Sequence, residues 1–351
     1  MEHVVKRDAL ITEAVENANE KEQKKKLKKT VGYMAWGLVF YTMIEAGLAI
    51  VGMIFYLLVN NFRILMNTPN WLHLTSEEVD ALFSMDVSDA YMGALSCVVV
   101  VVGVGFLFLY FEGSKFGKTI EWKQRFLSHK KMKSGTFFQI LCVFLGVQLV
   151  TEPIFRGLEM LFNGFGYSVL SSMEDATSAS ASIPMFLYAV ILGPVIEELI
   201  YRGFVLSSLE KLGKGCAIAV SALLFGLMHT NIPQSMFAFL LGIILGYVAI
   251  EYSIWWAILL HVINNGAADF LCFLTNDLSE SSQNVVLYSI FGVFILLGMF
   301  FLWKKRVELK RYWTENKPQK KYLLYVFTTA GMLVFIVMET ISAFTMVEKL
   351  G

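Results

Sequence analysis

The chain has 351 residues, of which 56% are hydrophobic, 14% aromatic and only 17% charged. A soluble domain carries about 25% charged residues, so a water-soluble globular fold is excluded. Lys plus Arg and Asp plus Glu are 29 each, so net charge names no partner; its distribution is the informative part, and no nucleic-acid partner is expected.

Residues 1–30 are polar and charged, without the apolar centre of a cleavable signal peptide. Apolar runs of about 20 residues then recur, each enough to cross a ~30 Å hydrocarbon core. Nine spans are predicted, at about 31–59, 91–111, 136–155, 184–209, 215–231, 234–251, 254–274, 285–303 and 322–345. The short alternating segments of a β-barrel are absent. The expected fold is therefore all-α, a polytopic transmembrane helical bundle of about eight or nine spans. The fifth span is short and meets the sixth at a tight "TNIPQ" turn. The expected organisation is a cytoplasmic basic tail (1–30), N-terminal transmembrane helices (31–182), a central core (183–274) and C-terminal transmembrane helices (275–351). Cys97, Cys142, Cys216 and Cys272 fall in apolar segments at scattered spacings and read as small buried hydrophobes.

Basic residues set the expected orientation. "KEQKKKLKKT" before the first span holds six lysines, the loop after the second span holds seven Lys or Arg, and the loop after the eighth holds eight. The alternate loops are poor in base: residues 60–90 have one Arg against five acids. The expected localisation is an integral multi-pass protein of the plasma (inner) membrane with a cytoplasmic N-terminus and an outer C-terminus. The basic loops can also meet anionic lipid head groups. Trp255, Trp256 and Trp303 fit an interfacial aromatic belt. Gly242 and Gly246 form a GxxxG on the sixth span, and "SVLSSMEDATSASAS" at 168–182 reads as an outer loop.

Polar residues at membrane depth cluster in spans four to seven: Glu197, Glu198 and Arg202, then His229, then His261, Asn264, Asn265 and Asp269. Glu45, Glu152 and Glu339 are stray acids elsewhere. A charge at the bilayer centre costs about 2.5–3.5 kcal/mol on insertion scales. Residues four apart share a helical face, so Glu198 and Arg202 can neutralise each other, while Glu197 points elsewhere and is left to handle a proton. His261 and Asn265 also share a face, as do Phe225 and His229. Pro194 breaks the helical ladder, with Gly193 and Gly203 nearby. Such a set can hydrolyse a carbonyl compound: an acid and an imidazole deprotonate water, and a second imidazole and an amide N–H stabilise the oxyanion. On spacing alone, ion coupling and interhelical packing stay open beside it. At about 1.5 Å per residue, Glu197 and His261 agree in depth, but His229 lies nearer the outer face. Asp269, one turn beyond Asn265, reads as a solvated group near the outer interface.

"EELIYR" (197–202), "FGLMH" (225–229) and "HVINN" (261–265) match in order the motifs EExxxR, FxxxH and Hxxx(N/D). Over about 183–274 the chain thereby resembles the CPBP intramembrane endopeptidases, named for CAAX proteases and bacteriocin-processing enzymes. The resemblance implies peptide-bond hydrolysis in the membrane, with a membrane-associated protein or peptide as substrate. It implies that Glu197 and His229 activate water, that His261 and Asn265 form the oxyanion hole, and that Glu198 and Arg202 brace the site. No cofactor is expected. The family has also been labelled metallo-type, and zinc, if used, would fall to Glu197, His229 and His261; no HExxH is present, and an Asn amide is a poor zinc ligand.

The alternative is a non-enzymatic membrane scaffold or immunity protein, or an ion-coupled carrier. A carrier usually shows internal repeats with broken helices in both halves, and no twin of the polar cluster occurs in the first half. No GxSx stretch marks a serine protease in any span.

Overall fold

The computed structural model describes residues 2–68, 75, 87–114, 117–119, 126–127, 130–171 and 179–350, with residues 2–20 as backbone only. Much of the acidic loop 60–90, of the basic loop after the second span and of the serine-rich loop lies outside the described residues.

The described chain is helical: α1 (Glu2–Asn67), α2 (Asp89–Gly113), α3 (Ser134–Asn163), α4 (Ile183–Leu212), α5 (Lys214–Leu227), α6 (Ile232–Glu251), α7 (Ile254–Thr275), α8 (Glu280–Asn316), α9 (Lys320–Phe327) and α10 (Ala330–Thr345). Two short strands, β1 (Tyr167–Ser168) and β2 (Glu348–Lys349), pair antiparallel, Tyr167 opposite Lys349 and Ser168 opposite Glu348. Among the described residues seven helices (α1–α4 and α6–α8) are long and apolar enough to cross a membrane. The α9–α10 pair, bent by 75°, makes an eighth if it is one span. Val51, Leu58, Leu109 and Leu296 face outward, as side chains in contact with lipid do.

Two differences from the expected spans have plain causes. The lysine-rich segment before residue 31 continues α1, because Lys, Glu, Gln and Ala are good helix formers. The fifth span is only 14 residues, about 21 Å, and α5 stops at Leu227 rather than at residue 231. In "TNIPQ", the Asn231 side chain accepts from the Gln234 N–H at 3.1 Å, and Pro233 sits in the first turn of α6. The expected turn is therefore an N-cap, and His229 lies in the turn just before it, between α5 and α6, rather than on the helix.

α4 is the central element. Ile200, Val205, Leu206 and Leu209 are fully buried, and α1, α2, α5, α6 and α7 pack around it. Its start is capped by Ser182, whose hydroxyl accepts from the Met185 N–H at 3.3 Å, with Pro184 in the first turn. Two π-helical stretches interrupt it, Leu187–Leu192 and Leu199–Val205, one on each side of Glu197 and Glu198. Such stretches recur at functional sites because they re-aim side chains and free backbone groups.

α5 and α6 form a hairpin whose seam uses the GxxxG. A methyl group on Gly242 would lie 3.0 Å from Ala222 Cα and 3.2 Å from the Phe225 ring, and one on Gly246 would lie 3.4 Å from Ile218. Gly242→Leu is expected to force α5 from α6 and cost about 1–3 kcal/mol, the usual range for overpacking. Thermal unfolding in detergent checks this; a midpoint equal to that of the unaltered protein would contradict the close approach.

The basic helix ends gather on one face. Lys28 Nζ donates to Thr328 Oγ1 at 2.9 Å, Lys24 lies over the Tyr325 ring, and Lys214 Nζ meets Glu251 Oε1 at 2.7 Å. Tyr312, in the basic end of α8, donates to the same carboxylate at 3.0 Å.

Candidate active site

The site begins with a missing proton. Pro194 has no backbone N–H, and the Gly193 N–H is taken by Tyr188 O in the first π-helical stretch. Ala189 O thus loses both its i+4 and its i+5 donor. Asn265 Nδ2, from α7, supplies one at 3.0 Å. At the second stretch Tyr201 O accepts from the Leu206 N–H and also from Ser221 Oγ, at 2.7 Å. α5 and α7, the helices beside α4 that carry Ser221 and Asn265, are thus tied to it through carbonyls that the irregular helix offers.

Glu198 and Arg202 form an ion pair with both side chains at 0% exposure, Nη1 to Oε1 3.0 Å. Arg202 Nη2 donates to Gly242 O at 3.3 Å, and its guanidinium sits 4.2 Å from the centre of the Phe225 ring. A positive charge over a desolvated ring is stabilised by about 2 kcal/mol. The edge-on contacts of Phe225 reach His229 at 5.0 Å and His261 at 5.7 Å between ring centres. One phenyl ring therefore lies against the cation and both imidazoles.

The hydrogen bonds of each imidazole fix its tautomer. His229 Nδ1 lies 2.9 Å from Phe225 O; a carbonyl only accepts, so Nδ1 carries the proton and Nε2 keeps the lone pair. His261 Nδ1 lies 3.0 Å from Glu198 Oε1, an oxygen already facing Arg202, so Nδ1 is again the donor. His261 Nε2 then faces Glu197 Oε2 at 3.7 Å. Glu197 is the more open of the two glutamates, its side chain 21% exposed, and stands within electrostatic reach of His229.

Glu197, Glu198, Arg202, His229 and His261 thus converge, with Asn265 one helical turn from His261. The depth mismatch expected for His229 is not seen, since His229 and His261 lie against the same Phe225 ring. α7 begins in buried backbone, with Tyr252, Ser253 and Ile254 at 5%, 3% and 0% exposure, so lengths counted from helix ends do not share an origin. Among the described residues no three His, Cys, Asp or Glu side chains are placed to hold a metal ion. Glu197, His229 and His261 are therefore not gathered as a three-ligand set in this arrangement.

Asp269 is not simply solvated: its Oδ1 accepts from the Ser180 N–H at 2.8 Å, on the rim of an open cavity of about 390 Å³ lined also by Phe186, Phe270 and Phe273. Glu45 accepts from Tyr41 at 2.5 Å, and the buried Glu339 accepts from Thr42 at 3.2 Å, joining α1 to α10. Glu152 pairs with Arg156 at 2.8 Å and lies apart from the site. Sequence reasoning missed Gln148 of α3, whose Nε2 donates to Asn264 Oδ1 at 3.3 Å. The available signal was a lone carboxamide in an otherwise apolar run, "LCVFLGVQLV".

No curated protein and no solved structure matches the chain. Residues 179–267, roughly a quarter of the chain, match the family described as type II CAAX prenyl endopeptidase Rce1-like. The match covers α4 to α7 as far as Ala267 and so includes all three motifs. That family consists of proteases, whose substrates are proteins or peptides. Over residues 179–267 this multi-pass integral membrane protein carries an Rce1-like domain, similar to the type II CAAX prenyl endopeptidases.

Proposed function

We propose that the chain is an intramembrane endopeptidase in which Glu197 and His229 hold and deprotonate the attacking water while His261 and Asn265 bind the oxyanion. The observation that carries this reading is the division of labour between adjacent glutamates. Glu198 is fully buried against Arg202 and His261, and Glu197 is partly open, 3.7 Å from the far side of the same imidazole. His229, with Nδ1–H committed to Phe225 O, offers Nε2 as the acceptor that a general base needs. His261 can donate from Nε2 to an oxyanion only when both ring nitrogens are protonated, and Glu197 and Glu198 supply the two negative charges that face such a ring. Asn265 uses one amide N–H on Ala189 O and has a second for the oxyanion. Attack gives a tetrahedral intermediate; collapse breaks the C–N bond, and the proton taken from water leaves with the amine.

In this reading residues 183–274 are the catalytic core, framed by the transmembrane helices at 31–182 and 275–351. The substrate is a membrane-associated protein or peptide, of prenylated CAAX or bacteriocin-leader type. The lysine-rich start of α1 and the basic end of α8 lie on the cytoplasmic side of the plasma membrane, supported by the contacts of Lys28 and Lys24 with Thr328 and Tyr325, at the end of and within α9, the helix that directly follows α8.

The test compares protein termini in membranes from cells making the unaltered protein and cells making Glu197→Gln at equal level. Termini that vanish in the variant establish the protease and name its substrate. Matching profiles would sink the proposal and favour a scaffold or immunity role.

A further inference from the structure

Three carboxamides lie end to end beside the site. Gln148 Nε2 donates to Asn264 Oδ1 at 3.3 Å, Asn264 Nδ2 to Asn265 Oδ1 at 3.2 Å, and Asn265 Nδ2 to Ala189 O at 3.0 Å. The chain runs from α3 through α7 into the first π-helical stretch of α4. A carboxamide can turn over and exchange its donor for its acceptor at little steric cost, so a row of amides ordinarily has two directions. Here one end has no choice. Ala189 O only accepts, and Pro194 has removed its backbone donor. Asn265 must present its NH2 there, which turns its oxygen to Asn264. Asn264 must then present its own NH2 and turn its oxygen to Gln148. Asn264 is 5% exposed, leaving little water to substitute for either link.

We propose that Gln148 and Asn264 are positioning residues that lock the Asn265 amide with its NH2 on the face shared with His261, leaving its second N–H for the oxyanion. The proposal rests on the hydrolytic reading of Asn265. Each bond in such a row polarises the next, so the last N–H is a stronger donor than an isolated amide. Gln148 lies outside residues 179–267 and outside every motif, so the donor of one segment is set by a residue in another.

The experiment uses the full chain in detergent and, as substrate, a synthetic peptide spanning a cleavage that requires Glu197 in cells. Gln148→Met keeps length and removes the donor. Gln148→Glu, as a carboxylate, accepts only and demands the opposite direction from Asn264. With the unfolding midpoint unchanged, kcat is expected to fall about tenfold in Gln148→Met and further in Gln148→Glu, with KM held; outright loss of an oxyanion donor costs 10²–10³. A residue that merely fills space would not separate kcat from KM in this order. Should the Gln148 variants fail to fold, Asn264→Asp removes the donor one link closer and is read in the same way. If cleavage requires Glu197 while these variants keep the unaltered kcat, the relay falls alone. If no cleavage requires Glu197, the hydrolytic reading falls and takes the relay with it.

Discussion

Arg202→Met is expected to lose about 3–5 kcal/mol of stability, the range for stripping one partner from a buried ion pair. Most membrane proteins of marginal stability would not accumulate with such a loss. The magnitude follows from what Met leaves behind. Glu198 is at 0% exposure, and its Oε1 would retain only His261 Nδ1, while Phe225 would lose the cation over its face. The penalty therefore belongs to the orphaned carboxylate rather than to the worth of the pair. Adding Glu198→Gln is expected to restore most of the stability, because a neutral amide leaves no buried charge and its oxygen still accepts from His261. Unfolding midpoints of the single and double variants in detergent decide it. Equal midpoints would show that the carboxylate is not the source of the loss.

Glu197→Gln should behave in the opposite way, sparing the fold and removing the chemistry. The side chain is partly open and outside the Glu198–Arg202 pair, and the substitution keeps its size. Loss of a general base lowers rate by about 10²–10⁴, so kcat on a peptide spanning the cellular cleavage site should fall by that factor. KM should hold, since the proton is moved in the transition state and not in substrate binding. Purified protein with its unfolding midpoint measured alongside gives the comparison. A variant of ordinary stability and ordinary kcat would leave Glu197 without the role assigned to it.

The sequence reveals the membrane class and the motif residues because both depend on short-range signals. Apolar runs report length against a bilayer, and EELIYR, FGLMH and HVINN report spacing on one helix each. The pairing of Glu198 with Arg202 follows from an i, i+4 relation, although the segment between them is partly π-helical. What spacing does not reveal is anything that depends on two segments at once. Phe225 is readable as a wall for His229, but its contacts with Arg202 and His261 require the α5–α6 hairpin to meet α4 and α7. Pro194 is readable as a break, but the carbonyl that it frees and the amide that fills it are 76 positions apart. The depth of His229 is not readable from spacing, because helices that pack together need not begin level with one another. Gln148 stayed silent because a single polar residue in an apolar run has no period.

The smallest piece of secondary structure constrains the largest question of layout. Hydrogen-bonded partners share a side of the bilayer, so the ladder between Tyr167–Ser168 and Glu348–Lys349 makes the number of crossings between Asn163 and Glu348 even. α4, α7 and α8 contribute three if each candidate span crosses once, and the α5–α6 hairpin adds an even number when the short α5 crosses as well as α6. On that layout parity requires the bent α9–α10 pair to traverse the membrane as one unit; without an α5 crossing it does not. If α1, α2 and α3 each cross once before the ladder, the lysine-rich start of α1 and the β2 strand fall on opposite faces. Two residues of strand thus act as a latch that closes the bundle and turns its topology into arithmetic.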